Sequence, residues 1–271
     1  MDVRASRRVI SLLSFLLVAA TTAVVAPASA FAAASPTRYV SLGDSYSAGV
    51  GAGDYDAASG SCRRSRHAYP RQWVAAHAGA VATYLACSGA DTATLLRDQA
   101  PGVPVNATLV TVSIGGNDVG FGQVIAACVA SGESKCANAV NTATGKIENA
   151  LPARLDAVYR DLRRRAPGAR LVVLGYPRLY ELNMACASAV SATKRRRLNG
   201  AADALAAVTK ARAEAAGAAF VDVRPRFVGH GLCGAPSWIK GLIRGIPHES
   251  YHPDRTGQIS GYLPALSAAA G

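Results

Sequence analysis

The chain has 271 residues, half of them hydrophobic but only 6% aromatic, and a formal charge of +12. That length suits one buried core better than two, and the charge raises nucleic acid and anionic membranes as partners. Its distribution argues against nucleic acid: the dense runs Lys194-Arg195-Arg196-Arg197 and Arg163-Arg164-Arg165 lie in alanine-rich, helix-like stretches that read as solvated faces, and there is no aromatic-interleaved basic stripe, zinc finger or RNA-binding signature.

Residues 1–30 are expected to be a secretory signal peptide. Arg4, Arg7 and Arg8 precede an apolar run from Leu12 to Val25, which ends in Ala28-Ser29-Ala30, an A-x-A cleavage signal. Ser6-Arg7-Arg8 also fits a twin-arginine signal, which changes the export route and not the destination. Those thirty residues hold three arginines and Asp2, so the remainder carries +10. Residues 31–271 are expected to form one domain of a secreted, extracellular protein. They hold no second membrane-length stretch, so no stable membrane anchor is expected; a monomer is expected as well.

Arg38-Tyr39-Val40-Ser41-Leu42 reads as a first strand delivering Gly43-Asp44-Ser45 at its C-terminal end, where open α/β sheets carry their chemistry. Ala68–Ala78 predicts a helix with Pro70 in its first turn. Further strands are predicted over Ala80–Leu85, Leu109–Ile114, Leu171–Leu174 and Phe220–Val223, and crossover helices over Asn141–Arg165 and Ser191–Ala216. Strand–helix alternation of this kind implies a parallel sheet with helices on both faces. All six cysteines follow the export signal, and an even count in an exported chain reads as disulfides. No C-x-x-C pair exists, so metal is not expected; nearest-in-sequence pairing gives Cys62–Cys87, Cys128–Cys136 and Cys186–Cys233.

Ser45 at a strand-to-helix turn is a weak signal alone, and it is not the G-x-S-x-G elbow of larger hydrolases. Its company raises it. Gly89 follows the second strand and Gly115-Gly116-Asn117-Asp118 the third, so both fall at the sheet edge that carries Ser45. Acyl transfer needs preorganised donors for a developing oxyanion, and the N–H groups of Ser45 and Gly89 with the Asn117 amide would supply three. Ser250-Tyr251-His252-Pro253 puts a histidine at a loop-to-helix boundary, with Pro253 suited to the first helical position. Asp44 and Asp118 read as turn-holding residues, and His67, His77, His230 and His248 as scattered structural or surface histidines.

These blocks, Gly43-Asp44-Ser45, Gly89, Gly115-Gly116-Asn117-Asp118 and His252, together resemble the SGNH hydrolase (GDSL lipase/esterase) superfamily, and Tyr39–Gly49, the six cysteines and Glu249–Pro253 resemble its secreted bacterial branch. The resemblance implies a three-layer α/β/α sandwich around a five-stranded, mainly parallel, flavodoxin-like sheet. It implies a carboxylester hydrolase with Ser45 as nucleophile, His252 as general base, and an oxyanion hole of Ser45, Gly89 and Asn117. No cofactor is implied; the substrate is a small-molecule or lipid ester. The superfamily often has aspartate three residues before the histidine, and Glu249 stands there. The Ser250 carbonyl is therefore expected to orient His252 in a dyad, with a Glu249 triad as the rival.

Trp238, Ile239, Leu242, Ile243 and Ile246 have spacings that put them on one helical face, packed in the core or lining an acyl-chain groove. Acetylated polysaccharides, phospholipids and thioesters are rival substrates on the same fold. A secreted binding module that has lost activity is the non-enzymatic rival, and the joint presence of Ser45, Gly89, Asn117 and His252 weighs against it.

Overall fold

Five short runs of apolar and β-branched residues form the sheet: β1 (Arg38–Gly43), β2 (Val81–Tyr84), β3 (Leu109–Ser113), β4 (Arg170–Leu174) and β5 (Ala219–Val221). All pair in parallel, in the order β2-β1-β3-β4-β5. This computed structural model describes residues 1–2, 36–182, 186 and 190–270, and the architecture here is that of the unit Pro36–Gly271. The expected signal peptide, from residue 3 onward, lies outside the described residues.

Side chains alternate across the sheet with the period of two that a strand imposes. Tyr39, Leu109, Val172 and Leu174 face one core cluster; Val40, Leu42, Val110, Val112, Leu171 and Val173 face the other. The first cluster is closed by α2 (Tyr69–Ala76), α4 (Phe121–Ala130), α5 (Glu133–Asn149) and α8 (Leu263–Ala270). The second is closed mainly by α6 (Leu151–Arg165), while α7 (Ala192–Ala215) contributes to both through Leu198 and Leu205. The result is a three-layer α/β/α sandwich. β2 and β5 are the edge strands, and Val81 on β2 is exposed.

The single helix expected over Asn141–Arg165 is two. α5 begins earlier, at Glu133, and ends at Asn149; Pro152 then sits in the first turn of α6, where its missing N–H costs nothing. The three expected cysteine pairs are bonded. Cys62–Cys87 braces the loop after β2, and Cys128–Cys136 clamps α4 to α5.

The helical face expected at 238–246 does not exist. Trp238–Lys240 instead runs antiparallel to His252–Asp254: Asp254 N–H donates to the Trp238 carbonyl (2.8 Å), Lys240 N–H to the His252 carbonyl (2.9 Å), and Ile239 bridges Pro253. Gly241, Gly245 and Pro247 disfavour a helix there, and the cross-pairing satisfies the backbone. Trp238 stacks on His230 and Ile239 is buried, whereas Leu242 and Ile246 are exposed. Pro253 is therefore in an extended bridge, and the next helical turn starts after Asp254, whose carboxylate accepts from Gly257 N–H at 2.8 Å.

Candidate active site

In the order 2-1-3-4-5 the chain reverses direction between β1 and β3, and the crevice beyond their carboxyl ends is where open α/β sheets bind ligands. β1 ends at Gly43, and α1 (Ser45–Ala48) begins two residues later. Gly43 has φ +125°, and a Cβ there would collide with the Ser113 carbonyl, so only glycine lets β1 lie this close to β3 before turning. Gln99 pins the same residue, its amide bonding both Gly43 N–H and Gly43 carbonyl at 2.9 Å. Asp44 caps α1 by accepting from Tyr46 N–H at 2.9 Å, leaving Ser45 at the first helical position.

His252 Nε2 lies 2.7 Å from Ser45 Oγ, and its Nδ1 lies 2.9 Å from the Ser250 carbonyl. A carbonyl only accepts, so Nδ1 carries the proton and Nε2 is left as the acceptor for the serine hydroxyl. Tyr251, between these partners, has φ +62°, a left-handed conformation that turns the chain so that His252 faces Ser45. Gly51 backs the histidine: a Cβ there would meet Pro253 O at 2.6 Å and His252 Cβ at 2.9 Å. Burial pushes the His252 imidazole down to about 4, against the opposing pull of the Ser250 hydrogen bond.

Glu249 does not reach His252. Its Oε1 accepts from the Tyr55 hydroxyl and its Oε2 from Lys240 Nζ, each at 2.5 Å. Burial raises the carboxylate, but those two partners outweigh it and hold Glu249 below its ordinary range. Tyr55 Oη also accepts from Gly51 N–H at 3.0 Å, so this group ties the loop after Ser45 to the loop before His252.

Asp44 is buried, and its second oxygen accepts from the Tyr176 hydroxyl at 2.5 Å. Burial pushes its carboxyl up to about 7 despite that bond and the one from Tyr46 N–H. Tyr176 Oη in turn accepts from Gly116 N–H at 3.3 Å, linking the Ser45 turn to the Asn117 loop. Asn117 donates one Nδ2 hydrogen to the Ala90 carbonyl at 2.8 Å, which leaves the second. Asp118 accepts from the N–H of Thr92, the first residue of the short α3 (Thr92–Thr94), at 3.0 Å and so joins the two loops that carry Gly89 and Asn117.

Ser45, Gly89, Asn117 and His252 all open onto one cleft of about 580 Å³. Much of the remaining wall is apolar, from Phe121, Ile125 and Val129 of α4, Leu205 of α7, and Leu242, while Tyr46, Tyr176 and Tyr251 add aromatic rings with hydroxyls. Of the scattered histidines, His77 stacks on Trp73 and His230 on Trp238, whereas His248 lines the cleft. Sequence reading missed Tyr55, Gln99 and Tyr176. Nothing local marks them, because their partners lie 194, 56 and 132 residues away in the chain. Among the described residues no cluster of three metal-ligating side chains occurs.

The fold is that of the SGNH hydrolases, seen in solved structures with clear sequence likeness. The extracellular lipase of Streptomyces rimosus superposes with a TM-score of 0.84 at 47% identity, covering 86% of this chain and 99% of that one. Phospholipase A1 of Streptomyces albidoflavus NA297 gives 0.85 at 46% identity, covering 87% and 100%. Lipase 1 of Streptomyces coelicolor is 44% identical over 265 residues, 97% of this chain and 98% of its own. The GDSL-like Lipase/Acylhydrolase family matches residues 41–258. The chain belongs to that family and is a carboxylic ester hydrolase.

Proposed function

We propose that the protein is a secreted lipase/esterase that cleaves esters of acyl chains through an acyl-enzyme on Ser45. His252 Nε2 takes the Ser45 proton as Oγ attacks the ester carbonyl, then returns it to the leaving alcohol. Water activated by the same nitrogen hydrolyses the acyl-enzyme. The N–H groups of Ser45 and Gly89 and the free Asn117 N–H hold the oxyanion, and the Ser250 carbonyl fixes the imidazole in a dyad. The observation that carries this reading is the continuous chain Ser45 Oγ, His252 and Ser250 carbonyl, at 2.7 and 2.9 Å, opening on an apolar cleft. The aliphatic part of the wall, Ile125 and Val129 of α4 with Leu205 and Leu242, supports an acyl-chain substrate.

Export by way of residues 1–30, and action as a monomer, belong to the same proposal; the basic and apolar pattern of that segment supports the first. A fluorophosphonate is expected to label the secreted protein once, on Ser45, with parallel loss of p-nitrophenyl ester hydrolysis. Ser45→Ala is expected to abolish both. A single adduct on Ser47 or Ser250 would overturn the assignment.

A further inference from the structure

The antiparallel arms at 238–240 and 252–254 carry a tip, residues 241–250, that ends beside the base. Ile243 N–H donates to Ser250 Oγ at 2.8 Å, and Glu249 bonds Lys240 and Tyr55, so the tip is braced at its root. Beyond that brace it is open. Leu242 is 56% and Ile246 43% exposed, and Gly241, Arg244, Gly245 and Pro247 are exposed with them. These are the only two large exposed hydrophobics that lie close together in sequence among the described residues.

Two facts say what covers the tip. Leu242 and Pro247 also line the cleft, so the exposed apolar surface runs into the space that faces Ser45. The tip is also cationic: Arg244 sits between the two apolar residues, and the sole acid from 238 to 250, Glu249, is buried and paired with Lys240. A chain whose residues 31–271 carry a net +10, with such a projection, suits a surface that is apolar inside and anionic at its face.

We propose that the tip 241–247 is an interfacial docking element for anionic lipid, with Leu242 and Ile246 entering the acyl region and Arg244 meeting headgroup phosphates. It rests on the acyl-ester reading above and adds to it the form in which substrate is met: the cleft mouth is set on the lipid, and an acyl chain enters without crossing water. The anchoring is peripheral and reversible, since two aliphatic side chains and one cation are far less than a spanning helix.

The test uses the mature protein carrying Ser45→Ala, so that lipid is not consumed, with vesicles of phosphatidylcholine alone or mixed with phosphatidylglycerol. Cosedimentation is expected to show binding to the mixed vesicles that weakens with salt. Arg244→Ser is expected to weaken it about fivefold and Ile246→Ser about tenfold. In the Ser45 background the same two substitutions are expected to leave p-nitrophenyl acetate turnover within twofold. As a second readout, Ile246→Trp is expected to blue-shift its emission on mixed vesicles. Failure of the protein to bind mixed vesicles, unchanged binding in both the Arg244→Ser and the Ile246→Ser variants, or no emission shift overturns the proposal. So does a concentration-dependent shift without lipid, which would make a second copy of the chain the occupant. Vesicle binding that follows these expectations in a protein with no ester turnover would sink the catalytic reading and leave the docking surface standing.

Discussion

Glu249→Gln separates the two ways in which His252 could be oriented. The carboxylate stands three residues before the histidine, yet it bonds Tyr55 and Lys240 at 2.5 Å each, while His252 Nδ1 bonds the Ser250 carbonyl at 2.9 Å. Glutamine keeps one oxygen for Tyr55 but turns an amide NH₂ toward the Lys240 ammonium, so one charge-assisted bond is lost. Such bonds contribute about 1.5–3 kcal/mol, and Lys240 is about a third exposed, which puts this one near the lower end. At roughly 2–4 °C per kcal/mol for a domain of this size, a fall in Tm of about 3–6 °C is expected. Because no partner of His252 is removed, kcat should fall less than about tenfold. Loss of a true third carboxylate costs about 10⁴ in serine proteases that depend on one. His252→Ala should cost about 10²–10⁴ from lost base catalysis alone. The assay is steady-state hydrolysis of p-nitrophenyl butyrate beside a circular-dichroism melt. A loss of a thousandfold or more in a folded Glu249→Gln protein would refute the dyad.

With His252 as the proposed base, its low value is expected to set the acid limb of activity. The neutral imidazole is the active form, and burial holds it neutral down to about pH 4, so kcat/KM should stay level from about pH 7 to 5 and halve near 4. The same depressed value means that stability from this group is present above its unfolded value near 6.5 and is lost as pH falls toward 4. A limb near 6.5 that persists in Asp44→Asn, where the carboxyl near 7 is gone, would contradict the burial argument. Asn117→Ala should lower kcat by roughly 10²–10³ with little change in KM, because in the proposed oxyanion hole its free N–H is engaged mainly in the transition state. A change confined to KM would remove Asn117 from the oxyanion site.

What could be read from the chain alone was whatever depends on near neighbours. Five strands showed as short apolar runs and Gly43-Asp44-Ser45 as a strand-to-helix turn, because period and turn chemistry are local; of the cysteine pairs only Cys128–Cys136 closes a short loop, of 8 residues, while the other two span 25 and 47. Pro152 could have marked the break between α5 and α6, but the alanine-rich sequence on either side masked it. The segment 238–246 was ambiguous in principle: its apolar spacing fits a helix, and only hydrogen bonds to His252–Asp254 decide for an extended arm. The partner of Glu249 could not be inferred either, since a carboxylate near a histidine in sequence bonds whichever donors tertiary packing brings within about 3 Å. Here those are Tyr55, 194 residues away, and Lys240 across the arms, and their capture of Glu249 leaves His252 to the carbonyl of Ser250.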